Sequence, residues 1–395
     1  MNIYSQTNKH SCTSCQLCAA ICPQQAIDIK LDKYGFYRPY INPNKCTDCS
    51  LCTKVCYKYN DITSFNTDVS VWAAKAKNNT ILENTTSGGI ADILAKKLIK
   101  LGYICCGVSY NYNTHVAENT IAYNIQGTNS FKGSKYIQSF TFPAFKKIIS
   151  EHITEKVAIF GLPCHIYAIN KYLTLKRRRE NFILIDLYCH GCPSLYLWKK
   201  YIKECCNIPL PYSYVNFRSK KRGWGNFCIQ IKSQNGDEYI SPKGHDLFYT
   251  LFFSDHILNE SCHTCQLRGS LDYADIRLGD FWGKKYLFNK TGMSIFTSCT
   301  PKGLEIFNLI KNEIYFCQHE LNDITPYLSF KKIYHPNTKI RTLLLDKLST
   351  PESRLEEIAY IYISKLPIKQ KFLFHVKKVI LKLPKPLISI IKRII

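Results

Sequence analysis

Cys12-Thr-Ser-Cys15-Gln-Leu-Cys18-Ala-Ala-Ile-Cys22-Pro23 returns further along the chain as Cys46-Thr-Asp-Cys49-Ser-Leu-Cys52-Thr-Lys-Val-Cys56. Each cysteine of the second run lies 34 positions after its counterpart, so the two are an internal duplication of one C-x2-C-x2-C-x3-C unit. Three closely spaced thiolates wrap three corners of an iron–sulfur cube, and the fourth, held by the following turn, reaches across to the other cube. On that reading Cys12, Cys15, Cys18 and Cys56 hold one [4Fe–4S] cluster, and Cys46, Cys49, Cys52 and Cys22 hold the other. Structural zinc usually takes two separated cysteine pairs and has no use for this rhythm twice over. Disulfides need an oxidising compartment, and Met1-Asn-Ile-Tyr-Ser-Gln has neither the basic start nor the apolar core of an export signal.

The spacing is that of bacterial two-cluster ferredoxins. Between the runs, Ala26-Ile-Asp-Ile-Lys-Leu alternates and Asp32-Lys-Tyr-Gly35-Phe-Tyr turns into a second extended piece, the pattern of a hairpin. Residues 1–60 therefore read as an α+β ferredoxin-like two-cluster module. Tyr57 stands where such runs often continue with proline, as Pro23 follows Cys22. Residues 57–70 are polar and aperiodic and read as a linker.

With 395 residues the chain has room for two to three domains, and its 46% hydrophobic content describes an ordered remainder. Twenty cysteines without an export signal point to a reducing, cytoplasmic setting and to metal or redox work. Twelve of them lie outside the module, so a further cluster can be accommodated. The formal charge of +24 falls on cluster assembly, because a cube with four thiolates carries about −2. Basic residues are scattered and accompany no zinc finger, RRM or helix-turn-helix pattern, which argues against nucleic acid. Attraction to an acidic ferredoxin-type or other redox partner, or to an anionic membrane surface, suits the charge better. No apolar run reaches the roughly 18 residues of a spanning helix.

Beyond the linker, Val71-Trp72-Ala-Ala-Lys-Ala is extended and leads to Thr86-Ser87-Gly88-Gly89-Ile90. Ile90, Ile93, Leu94, Leu98 and Leu101 then follow helical spacing, with Ser87 or Thr86 a natural N-cap. A Ser-Gly-Gly turn at a helix N-terminus can present bare N–H groups to a phosphate, although a plain helix cap is the commoner meaning. Residues 103–110 read as a buried strand, and Lys132-Gly-Ser-Lys135 as a turn. Residues 156–160 and 182–188 are short apolar runs that break into Gly161-Leu-Pro-Cys164-His165 and Cys189-His190-Gly-Cys192-Pro-Ser194, each followed by a helical pattern. Repeated strand, turn and helix predict an α/β domain with a largely parallel or mixed sheet, whose ligands collect at strand carboxyl ends. Cys164 and Cys189 fall there. Cys262-His-Thr-Cys265 adds a C-x2-C pair, and residues 274–283 read as a strand entering a tight turn.

Taken in order, Ser87-Gly-Gly-Ile, Lys132-Gly-Ser-Lys135-Tyr-Ile-Gln-Ser, Gly161-Leu-Pro-Cys164, Cys189-His-Gly, Cys262-x2-Cys265 and Asp275-Ile-Arg-Leu-Gly279-Asp280-Phe-Trp-Gly283 resemble the beta subunit family of coenzyme F420 hydrogenases and dehydrogenases. The resemblance spans about residues 70–285. It implies a flavoprotein that moves electrons between iron–sulfur clusters and FAD, with Ser87, Gly88, Gly89 and Lys135 contacting FAD. It also implies a third [4Fe–4S] cluster on Cys164, Cys189, Cys262 and Cys265. His165 and Cys192 depart from the family pattern, which usually has Gln and Val there, and Cys192 is close enough to Cys189 to compete as a ligand.

The domains expected are a ferredoxin module over 1–60, a flavin-binding and iron–sulfur α/β domain over 71–330, and a basic, helical extension over 331–395. The function expected is an FAD-dependent iron–sulfur oxidoreductase that exchanges two electrons, as hydride, with an organic substrate or coenzyme. The second reading is an electron-transfer subunit with no substrate of its own. A third, an iron–sulfur sensor on nucleic acid, would need salt-dependent binding. No catalytic acid or base stands out; His165, His190 and Asp280 only flank the proposed crevice. In the tail, Ile368, Phe372, Leu373, Val376, Val379, Ile380 and Leu383 share one helical face among lysines. That face suits packing or a partner first, and peripheral contact at the inner face of a membrane second.

Overall fold

The computed structural model describes residues 1–4, 9–62, 64–244, 246–286, 288–372 and 376. Three sheets appear. β1 (Ile27–Leu31) and β2 (Tyr37–Ile41) form an antiparallel hairpin between the cysteine runs. β9 (Tyr212–Asn216), β10 (Gln230–Ser233) and β11 (Glu238–Ile240) make a small antiparallel sheet. The main sheet has nine strands: β3 (Ser70–Ala76), β4 (Ile104–Asn111), β5 (Val116–Ala122), β6 (Ser139–Phe140), β7 (Val157–Phe160), β8 (Phe182–Leu187), β12 (Ile276–Asp280), β13 (Ser294–Ser298) and β14 (Ile314–His319).

Their spatial order is β14-β3-β13-β12-β8-β7-β4-β5-β6. The central run β12-β8-β7-β4 is parallel, while β13, β3 and β14 on one side and β5 on the other join by antiparallel pairing. The sheet is thus mixed, within the α/β expectation. Strand alternation divides the core. Phe182 and Leu184 of β8 face the helices Phe142–Glu151 and Pro163–Leu175, while Ile183 and Ile185 face the helices Ile90–Lys100 and Pro301–Ile310.

The cysteine-rich segment packs on the first of these faces. Leu17, Ile21, Val55 and Tyr57 share a buried cluster with Phe145, Ile166, Tyr167 and Leu184. The segment read as a linker is tied down: Ser64 Oγ donates to Asp272 at 3.0 Å and Asn66 Nδ2 to the Cys299 carbonyl at 3.2 Å. Residues beyond 330 supply two helices, Thr338–Ser349 and Leu355–Ser364, whose Leu344, Leu348, Leu355 and Ile358 bury against Leu197 and Trp198. Ile368 and Phe372 are exposed, and most of the apolar face read in the tail lies outside the described residues. Among the described residues no helix is long and apolar enough to cross a membrane.

One local expectation is corrected. The N-cap of the helix Ile90–Lys100 is Gly89, in the left-handed region at φ 81°, and no side chain caps it. The two hydroxyls expected there are engaged elsewhere: Ser87 Oγ donates to the Met293 carbonyl at 2.9 Å, and Thr86 Oγ1 accepts the Ser134 N–H at 2.9 Å.

Candidate iron–sulfur and redox site

The eight cysteines of the duplicated run divide between two cavities. Cys12, Cys15, Cys18 and Cys56 line one, of about 270 Å3, and Cys22, Cys46, Cys49 and Cys52 line the other. This is the crossed partition that the spacing implies. Short helices, Leu17–Ala20 and Leu51–Lys54, carry the third cysteine of each run, and Gln16 and Ser50 before them adopt matching left-handed turns at φ 62° and 63°. Cys18, Cys52 and Cys22 pack together between the cavities. Cys49 is exposed, so the second cavity faces outward. Burial pushes the Cys15 thiol up to about 11 and those of Cys18 and Cys56 well above the ordinary range, with the neighbouring thiols adding to the rise. Metal-free, these thiols stay protonated; iron must displace the protons.

A third cavity opens at the carboxyl ends of β7 and β8. Cys164 is the second residue of the helix Pro163–Leu175 that follows β7, and Cys189 comes two residues after the end of β8. Two one-turn 3-10 segments, Glu260–Cys262 and Gln266–Arg268, bring Cys262 and Cys265 to the same cavity, which Cys192 also lines. Burial raises the Cys189 thiol to about 12 and that of Cys262 to about 11. Cys164 is raised further by burial, then by Cys15, Cys189, Cys265 and Cys262. Burial raises the Cys192 thiol too, with Cys262 and Cys189 adding to the rise. The Cys192 backbone N–H lies 3.4 Å from the Cys262 sulfur. Ser261 Oγ, buried and without an oxygen or nitrogen partner among the described residues, lines the cavity too. Soft thiols with a hydroxyl donor beside Cys262 fit a cluster with sulfur acceptors. Among the described residues no three His, Cys, Asp or Glu side chains are placed to hold a single metal ion.

This cavity adjoins the first, for Thr13 and Ser14 line both. The junction is polar and specific. Gln16 donates its amide to the Ser139 carbonyl at 3.0 Å and accepts from the N–H groups of Thr141 and Phe142 at 2.9 and 3.0 Å. Asn259 donates to Ser14 Oγ at 3.0 Å and accepts from Arg38 at 3.2 Å. Tyr57 is buried, and its hydroxyl accepts the Gln266 N–H at 3.1 Å, which links the residue after Cys56 to the residue after Cys265.

Of the residues expected around FAD, Ser87 and Gly88 lie on the same carboxyl edge of the sheet, at β3 and β13, and Lys135 lies against β4. Gly88 is pressed against β3 and β13: a Cβ there would meet the Ala74 carbonyl oxygen at 2.4 Å, and its N–H already donates to Ser294 Oγ at 2.9 Å. Lys135 Nζ donates to four backbone carbonyls, those of Val108, Ser130, Phe131 and Lys132, at 2.7–3.2 Å. Both groups are hydrogen-bonded within the protein. Lys220, which the sequence marks only as part of a basic, glycine-punctuated loop over 215–225, donates to the Ser87 carbonyl at 2.7 Å, and burial lowers its pKa to about 8.

His165 lines the third cavity; its Nδ1 accepts the Leu162 N–H at 3.4 Å, and burial lowers its pKa to about 4, so it is neutral. His190 contacts Asp255 at 2.9 Å and the hydroxyls of Ser329 and Tyr334 at 3.1 and 3.0 Å. Asp280 accepts from Arg218 at 2.9 Å. Each has a structural partner.

Residues 154–324 match the family described as the C terminus of the beta subunit of coenzyme F420 hydrogenase/dehydrogenase. The motifs from Gly161 to Gly283 fall within this match, and Ser87-Gly-Gly-Ile and residues 132–139 lie before it. Residues 11–59, which contain all eight cysteines of the duplication, match the 4Fe-4S dicluster domain. This is an iron–sulfur redox protein related to the F420 hydrogenase beta subunit, with two [4Fe–4S] clusters in its first 60 residues. Among solved structures, a chain of the F420-reducing [NiFe] hydrogenase complex from Methanosarcina barkeri aligns at 16% identity over 77% of this chain and 93% of its own, with a TM-score of 0.46. No curated protein matches.

Proposed function

We propose that the chain is an FAD-dependent iron–sulfur oxidoreductase. Electrons run between the two clusters of the duplicated run, a third [4Fe–4S] cluster on Cys164, Cys189, Cys262 and Cys265, and a flavin that exchanges hydride with an organic substrate or coenzyme. The observation that carries this reading is the cavity holding those four thiols at the ends of β7 and β8, sharing Thr13 and Ser14 with the cavity of Cys12, Cys15, Cys18 and Cys56. Two cysteine-lined cavities that share a wall support a relay between them.

In this arrangement the chain's own residues do three things. The cysteines hold the clusters. Gln16, Asn259 and Tyr57 fix the distance between the first and third sites. The buried aromatic and aliphatic residues around Leu17 and Tyr167 exclude water from the path. Support for the flavin comes from the family resemblance and from the contact of Thr86, just before Ser87-Gly88-Gly89, with Ser134 of the 132–135 loop.

Iron, sulfide and flavin analysis of one anaerobic preparation tests the proposal. About twelve irons and one FAD per chain are expected. About twelve irons without flavin would favour the second reading, an electron-transfer subunit working within a larger redox complex. About eight irons would remove the third cluster.

A further inference from the structure

Three arginines are fully buried among the described residues: Arg218, Arg268 and Arg277, at 2%, 3% and 2% exposure. Arg218 pairs with Asp280 at 2.9 Å and Arg277 with Asp186 at 2.5 Å. Arg268 has no carboxylate at ion-pair distance among the described residues. Its guanidinium donates to the carbonyl oxygens of His190 at 2.9 Å and Cys262 at 2.5 Å, and to that of Lys332. The ring of Tyr334 lies 4.4 Å from its Cζ. All of these partners are neutral. A buried cation without an anion costs several kcal/mol, and folds avoid that by pairing the charge. Arg268 lines the cavity of Cys164, Cys189, Cys262 and Cys265, where a thiolate-bound cluster would supply the anion.

We propose that Arg268 is the built-in counter-ion of the third cluster, raising that cluster's reduction potential while clamping the two turns that carry its ligands. The inference rests on the third-cluster reading above. A cube with four thiolates carries about −2 and gains one further negative charge on reduction, so a cation beside it favours the reduced form. The same guanidinium holds the Cys189–His190 turn through the His190 carbonyl and the C-x2-C segment through the Cys262 carbonyl. Arg277 fixes the segment in turn, donating to the Arg268 and Leu267 carbonyls at 3.2 and 3.3 Å from its pairing with Asp186 on β8. Arg268 is a positioning residue, touching the ligands' backbone and not the substrate.

The test uses the full chain, purified anaerobically, with Arg268→Gln and Arg268→Lys beside the unsubstituted protein. Iron content and an EPR-monitored redox titration are read for each. In Arg268→Gln the third centre should become harder to reduce by about tenfold in its reduced-to-oxidised ratio, which is 59 mV for a one-electron couple. The other two centres should not move, and Arg268→Lys should stay nearer the unsubstituted protein. Loss of about four irons in Arg268→Gln but not in Arg268→Lys would equally support the charge. The proposal is overturned by an unmoved potential in an Arg268→Gln protein that keeps about twelve irons, or by equal loss of the centre in both variants. About eight irons in the unsubstituted protein would instead sink the third-cluster reading itself.

Discussion

At the scale of single residues, Lys135 and Gly88 show how a residue expected beside a cofactor is also tied into the protein. Both read as ligand contacts, and both are engaged inside the protein. Gly88→Ala should destabilise by about 1–3 kcal/mol, the usual result of forcing an extra methyl into a packed site, here against the Ala74 carbonyl. A lower denaturant midpoint at unchanged iron content is the expected outcome; unchanged stability would mean that the β3–β13 contact is looser than it looks. For Lys135, burial lowers the pKa to about 7. A lysine whose folded pKa lies below its unfolded value makes stability rise with pH between the two, here from about 7 to about 10.4. Lys135→Met removes that dependence. The stability difference, normal protein minus variant, should therefore grow in favour of the normal protein from pH 7 to pH 9, as followed by unfolding midpoints at both. A difference flat with pH would show that the four carbonyls keep the ammonium charged throughout.

Between elements, Arg277 on β12 faces Asp186 on β8 in the parallel ladder and donates two hydrogen bonds to its carboxylate, at 2.7 and 2.5 Å. Asp186→Asn leaves the guanidinium without its counter-charge. A loss of about 3–5 kcal/mol is expected on anaerobic unfolding, since breaking one side of a buried pair strands the other charge. Asp186 was not legible as part of any site, because the pairing joins positions 91 apart and depends on register. What was legible were the local signals: strand, turn and helix at Cys164 and Cys189, and the hairpin after Ala26. The sheet's antiparallel side was not. Residues 71–76 read as an extended piece, yet the neighbours of that strand, β13 and β14, come from beyond residue 290, where periodicity gives no partner. Arg268 had one faint signal, a basic residue a single turn after Cys265, and its counter-ion role emerges only from the absent carboxylate. Tyr57, read as a mild departure from proline, is a buried hydrogen-bonding strut for the same reason: its partner Gln266 is 209 positions away.

For the whole molecule, the three cavities form a sequence rather than a cluster. The outermost, lined by Cys22, Cys46, Cys49 and Cys52, has the exposed Cys49; the middle one meets it through packed Cys18 and Cys52; the innermost meets the middle one across Thr13 and Ser14. If clusters fill all three and a protein partner docks at the exposed Cys49, its electrons reach the other two through the cluster there. Cys49→Ala should then lower iron from about twelve to about eight per chain and slow electron exchange with a one-electron carrier protein by at least about tenfold. A small reductant that diffuses into crevices should still reduce the two remaining clusters, which stopped-flow mixing against both donors can separate. Equal slowing with both donors would mean that losing the outer cluster unsettles the module as a whole, as expected where metal and fold are coupled. Unchanged exchange with the carrier protein would mean that the partner docks elsewhere, directly over the middle site, and the linear order would have to be given up.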